Sequence, residues 1–150
     1  IEVVYPVHLS PAVQEAAKDI LAGHDRIHLI KPLDVFDFHN LASRSYFIMT
    51  DSGGVQEEAP SLGKPVLVLR DTTERPEGVR AGTLKLVGTN PACVKEAMAV
   101  LLTDETLYRK MSQAPNPYGD GRASERIVRA IQHYFGMAES VSEFKEGEEA

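Results

Sequence analysis

The chain has 150 residues, 43% hydrophobic and 25% charged, which suits one soluble domain with a real core and excludes a disordered polymer. A formal net charge of −6 argues against a nucleic-acid partner, which needs a basic stripe; no apolar run is long enough to cross a bilayer and none resembles a signal peptide, so a cytoplasmic protein without a membrane partner is expected. The single cysteine, Cys93, excludes an internal disulfide and fits a reducing compartment.

The chain opens on Ile1-Glu2-Val3-Val4-Tyr5-Pro6-Val7, an apolar run with no initiator Met, and is expected to be part of something longer. Val3–Val7 is predicted as a first strand. Ser10 and Pro11 then supply a cap and a first-turn proline for a helix carrying Ala12, Val13, Ala16, Ala17, Ile20 and Leu21 at helical spacing, stopped by Gly23. Ile27–Ile30 is a second strand, Val35–Ala42 a short helix, and Tyr46–Thr50 a third strand. A turn over Asp51-Ser52-Gly53-Gly54 opens a helix over Val55–Leu62, and Pro65–Leu69, nearly all apolar, reads as a strand buried on both faces. Leu84–Val87 is a short fifth strand. Asn90-Pro91 starts a further helix, Glu105–Ser112 forms another, and Ala123–Phe135 is the last, with Ile127, Val128, Ile131, Tyr134 and Phe135 expected to face inward. Residues 1–136 are therefore expected to form one domain, a three-layer, doubly wound α/β sheet of about five parallel strands; the Glu-rich stretch over 137–150 is expected to be a disordered tail.

In such sheets ligands bind beyond the carboxyl ends of the strands. Thr50-Asp51-Ser52-Gly53-Gly54-Val55-Gln56-Glu57-Glu58 lies at one such end. The paired glycines let a ligand approach the backbone, the helix start favours an anion, Ser52 can donate to a phosphate oxygen, and Glu58 can accept from ribose hydroxyls. The plain alternative is a tight strand-to-helix turn. On the same edge, Arg70-Asp71-Thr72-Thr73-Glu74-Arg75 follows a buried strand; Arg75 can neutralise a phosphate and Thr72 or Thr73 can donate to one, or the segment is a solvated loop with local ion pairing. Phe38 offers a ring on which a base can stack, or it is a core residue. His8 follows the first strand, whereas His24, His28, His39 and His133 read as loop or surface residues. No Cys/His or carboxylate set has metal-ligand spacing. Cys93 falls within a predicted helix without an activating base, and Asn116-Pro117-Tyr118-Gly119-Asp120-Gly121 reads as a turn-rich linker.

The unbroken run from Thr50 through Val68, continued by Arg70-Asp71-Thr72-Thr73-Glu74-Arg75-Pro76-Glu77, closely resembles the non-hydrolysing UDP-N-acetylglucosamine 2-epimerases. Tyr5-Pro6-Val7-His8 and the 116–121 stretch match the same family in the same order. The resemblance covers roughly residues 3–134. It implies a Rossmann-like domain, the C-terminal half of a two-domain fold like that of the B-type glycosyltransferases, with the active site in the cleft between the halves. It implies that Ser52, Gly53 and Gly54 bind the diphosphate of UDP or UDP-N-acetylglucosamine, Glu58 the ribose, and that Phe38 lies by the uracil and Arg75 near the phosphates. His8 is similar to a histidine that in some members helps hold a second, activating UDP-sugar. Position 33 departs from the pattern: many members carry Gln there and this chain has Leu33, which puts side-chain reading of the base in question.

The family's reaction interconverts UDP-N-acetylglucosamine and UDP-N-acetylmannosamine through loss of UDP from C1 with the C2 proton, then re-addition. The resemblance places the proton-transferring carboxylates in an N-terminal domain outside this chain, which alone is expected to bind UDP without turnover. It calls for no metal or redox cofactor and implies a homodimer for the full-length enzyme. Two other readings fit the same architecture: the donor-binding half of a UDP-sugar glycosyltransferase, and a non-catalytic nucleotide-binding module.

Overall fold

Each strand in this chain is a short β-branched or leucine-rich run followed by a helix, and every strand pair that results is parallel. The computed structural model describes residues 1–139 and 143–144. Most of the tail expected to be disordered, residues 140–142 and 145–150, lies outside the described residues. The chain divides into two compact units, Ile1–Leu41 and Ala42–Ala150.

In the first unit, β1 (Val3–Pro6) pairs in parallel with β2 (Ile27–Ile30), Val3 opposite Ile27 and Pro6 opposite Ile30. The crossover is α1 (Pro11–Leu21), with Pro11 in its first turn. Ser10 stands at the cap position but its hydroxyl makes no cap bond; instead its backbone N–H donates to His8 Nδ1 at 3.1 Å. Gly23, at φ +82°, turns the chain out of the helix. Helix α2 (Val35–Arg44) starts in this unit, where Asp34 Oδ1 accepts from Asp37 N at 2.9 Å.

The second unit holds a parallel sheet in the order β3 (Ile48–Thr50), β4 (Val66–Val68), β5 (Leu84–Leu86). Between β3 and β4 run α3 (Gly53–Glu58) and a 3-10 turn over Ala59–Leu62. Between β4 and β5 runs α4 (Pro76–Ala81), and α5 (Pro91–Thr103), α6 (Glu105–Ser112) and α7 (Ala123–Tyr134) follow. Val66, Leu67 and Val68 are fully buried, as a central parallel strand requires. Val66 and Val68 pack with Ala59 and Leu84 on one face. Leu67 packs with Ala97, Leu101 and Met111 on the other. Helices thus cover both faces, the three-layer α/β arrangement expected.

Two expectations need correction, and one element was not expected. The five parallel strands fall into a two-stranded and a three-stranded sheet rather than one, because apolar runs identify strands but not which neighbours pair. Helix α4 falls where no element was expected. The apolar stripe of α7 does not face inward: Ile127, Val128, Ile131, Tyr134 and Phe135 are each more than half exposed. Helical periodicity reveals such a stripe but not what covers it, and no residue of α7 is buried.

Candidate functional site

The carboxyl end of β3 is shaped by its last residue. Thr50 Oγ1 accepts from Ser52 N at 3.0 Å, a side-chain turn that brings Ser52 to the cap position of α3. Ser52 is extended there (φ −79°, ψ 130°), and its hydroxyl makes no cap bond, which leaves it available to a ligand. The first helical bond is Gln56 N to Ser52 O at 3.3 Å, so the N–H groups of Gly53, Gly54 and Val55 precede the helical ladder. Ser52 Oγ and Glu58 Oε1 each lie 3.9 Å from where a Cβ on Gly54 would stand. Glycine at 54 therefore keeps open the space between a hydroxyl donor and a carboxylate.

The segment after β4 comes to the same turn. Glu74 Oε1 lies 2.5 Å from where a Cβ on Gly53 would stand, so the carboxylate rests against the Gly53 backbone. Its other oxygen accepts from Arg70 Nη1 at 2.7 Å. Its own backbone N–H, then Arg70 and Arg75, hold the Glu74 carboxyl below its ordinary value. Arg75 Nε donates to Glu57 Oε1, a salt bridge between this segment and α3. Arg75 Nη1 also donates to Glu74 O at 3.3 Å.

Of the residues singled out in the sequence, Ser52, Gly53, Gly54, Glu58 and Arg75 all belong to the second unit and gather at the β3–α3 turn and the segment beside it. Phe38, half-buried on α2 with its ring centroid 6.0 Å from that of His39, belongs to the first unit, as do exposed His8 and half-buried Leu33. Cys93 is exposed on α5. Among the described residues no group of three or more His, Cys, Asp or Glu can hold a metal ion, and no helix is long and apolar enough to cross a membrane.

Several residues that shape the site gave little sign in the sequence. Gln56 is fully buried and bonds both to the turn and to Thr73. Thr73, expected as a possible phosphate donor, spends its hydroxyl proton on Gln56. Tyr118, within what read as a linker, accepts from Gly78 N at 3.1 Å and donates to Arg75 O at 3.5 Å. Burial pushes its phenol above the ordinary value of 10.0, so it remains a donor at neutral pH. A lone tyrosine among turn residues was the one available signal.

A profile of the family described as UDP-N-acetylglucosamine 2-epimerase matches residues 1–132. A Bacillus subtilis protein named UDP-N-acetylglucosamine 2-epimerase is 65% identical over 136 residues, 91% of this chain and 36% of that protein. An S. aureus structure solved with UDP superimposes with a TM-score of 0.90 at 61% identity, covering 96% of this chain and 40% of the other. A Neisseria meningitidis UDP-GlcNAc 2-epimerase bound to UDP-GlcNAc gives 0.84 at 49% identity, covering 89% and 36%. The chain thus spans little more than a third of the length of the relatives it matches.

Proposed function

The chain belongs to the UDP-N-acetylglucosamine 2-epimerase family, and from that premise we propose that it is the nucleotide-binding half of such an enzyme, holding UDP at the β3–α3 turn. The observation that carries the reading is local: a free-standing Ser52 hydroxyl and the Glu58 carboxylate flank the bare backbone of Gly54. The hydroxyl and the leading N–H groups of α3 suit phosphate oxygens. The carboxylate suits the paired hydroxyls of a ribose, which it orders by accepting two hydrogen bonds. Arg75, held by Glu57, is a cation on the segment beside this turn, and a diphosphate would compete with Glu57 for it. Assignment of the uracil to Phe38 rests on the resemblance alone.

In the proposed reaction of the whole enzyme, UDP leaves C1 of UDP-N-acetylglucosamine as a base removes the C2 proton. The resulting glycal is reprotonated at C2 on the opposite face, and UDP re-adds to give UDP-N-acetylmannosamine. This half's share is to stabilise the departing diphosphate, whose negative charge grows as the C1–O bond breaks. The base at C2 is assigned to the part of the enzyme beyond this chain, so the chain alone is expected to bind UDP and to show no turnover.

The test pairs a variant with an analogue. Glu58→Gln keeps the shape and removes the charge, and should weaken UDP about tenfold or more, the effect of one hydrogen bond to a charged group. It should leave the affinity for 2′,3′-dideoxyuridine diphosphate unchanged. Equal loss for both ligands, or no loss for UDP, would contradict the ribose assignment.

A further inference from the structure

Gln56 is the one polar side chain at the turn with no route to solvent: it is 0% exposed. Its Nε2 donates to Ser52 O at 3.2 Å, and its Oε1 accepts from Thr73 Oγ1 at 2.6 Å. Thr73 Oγ1 in turn accepts from Arg75 N at 3.0 Å. The order of donors is self-consistent, since turning the amide over would set Oε1 against the Ser52 carbonyl, a contact of two acceptors. A single chain of bonds therefore runs from the Arg75 backbone through Thr73 and Gln56 to the carbonyl of Ser52. The Arg75–Glu57 pair ties the same segment to the next residue of α3.

We propose that Gln56 is a positioning residue that clamps the Ser52 turn to the Arg75 segment, so that the turn's donors and the Arg75 guanidinium meet one diphosphate. Thr73 belongs to this clamp and not to the phosphate-binding set, because its hydroxyl proton is committed to Gln56. The consequence for ligand affinity rests on the nucleotide-binding reading above; the clamp itself does not. Both loops are joined by a buried amide whose polar atoms are costly to leave unpaired, which makes their relative position all-or-none rather than adjustable.

The test uses Thr73→Val, Thr73→Ser, Gln56→Met and the Thr73→Val/Gln56→Met double variant of this chain. Affinity for UDP is read by calorimetry. Hydrogen–deuterium exchange of residues 70–76 is read separately without ligand. The expected result is that Thr73→Val and Gln56→Met each weaken UDP about tenfold, the scale of one buried hydrogen bond. The double variant should be no weaker than the weaker single, since both break one chain. Thr73→Ser, which keeps the hydroxyl, should match the parent. Ligand-free exchange over 70–76 should rise in Thr73→Val and Gln56→Met and not in Thr73→Ser. Additive losses would mean that Thr73 meets the phosphate by itself, and would overturn the proposal. So would a lowered melting temperature with unchanged UDP affinity, or a loss in Thr73→Ser equal to that in Thr73→Val. If the parent binds no UDP, the nucleotide reading falls, and exchange alone decides the clamp: raised exchange upholds it and unchanged exchange overturns it. If Gln56→Met does not fold, the Thr73→Val and Thr73→Ser pair gives the same decision.

Discussion

Gly78→Ala isolates how tightly the segment behind the site is packed. Gly78 is buried in α4 and is not among the glycines with positive φ, so an alanine there meets no backbone strain and would gain up to about 1 kcal/mol of helix propensity. The space is another matter. Its Cβ would stand 2.5 Å from Leu84 Cδ1 and 2.6 Å from Leu84 Cγ, and closer still to the Tyr118 hydroxyl. Leu84 is 3% exposed, packed with Ala59, Val66 and Val68, and cannot retreat. Overpacking of this kind costs about 1–3 kcal/mol, and displacing Tyr118 strands the buried Gly78 N–H at about 1–3 kcal/mol more. Set against the propensity gain, the net loss should be at least about 1 kcal/mol and about 3 kcal/mol at the middle of these ranges. At about 2–4 °C per kcal/mol for a chain of this size, the middle value lowers the melting temperature by about 6–12 °C. Gly53→Ala is the internal control: its Cβ meets Glu74 Oε1 at an equal 2.5 Å. That atom is the tip of a side chain 46% exposed, which can swing away, so stability should change by less than about 0.5 kcal/mol. Thermal and urea unfolding followed by circular dichroism measure both. A Gly78→Ala variant as stable as the parent, or a Gly53→Ala variant equally damaged, would refute the reasoning.

Tyr118→Phe removes the partner of Gly78 N and Arg75 O and should cost about 1–3 kcal/mol in urea unfolding, with an unchanged loss expected on either side of neutral pH. Leu67→Ala, at a fully buried position between Ala97, Leu101 and Met111, should cost about 2–5 kcal/mol by the same assay. Asn90→Ala deletes the acceptor for Ala92 N at the start of α5 and should cost about 1 kcal/mol. Asp120, paired twice with Arg126 at 2.7 Å, has its carboxyl held far below the ordinary 3.8, first by the Arg126 hydrogen bonds and then by Arg122 N–H. A depressed folded value means that the pair's stabilisation is complete above the unfolded value and drains away as pH falls below it. The urea midpoint of the parent should therefore approach that of Asp120→Asn as pH drops below about 4, and a constant gap between them would contradict this.

The parallel α/β plan was legible because its signals are local. Ile27–Ile30 and Glu105–Ser112 have the expected bounds, and the Asn90-Pro91 start of α5 caps as its residues suggest. The gathering of Ser52, Gly53, Gly54 and Glu58 was legible for the same reason, since seven consecutive residues of turn and helix contain them all. What escaped the sequence depends on partners far along the chain. Helix α4 carries a proline in its first turn and ends on Gly82 at φ +86°, both usable signals. It is only 6 residues long, too short for helical periodicity to show, so it went unassigned. Gln56 meets Thr73 across 17 positions, and Tyr118 meets Gly78 across 40; no spacing rule announces either. The exposed stripe of α7 shows the complementary limit, an apolar face that periodicity identifies without its cover.

The most direct measurement of the central claim is a calorimetric titration of this chain with UDP, with ADP as the control. UDP should bind saturably and ADP not at all, with uridine recognition persisting despite Leu33. Equal binding of both would reduce the β3–α3 turn to a general phosphate cradle, and failure to bind either would contradict the claim that this chain holds the nucleotide.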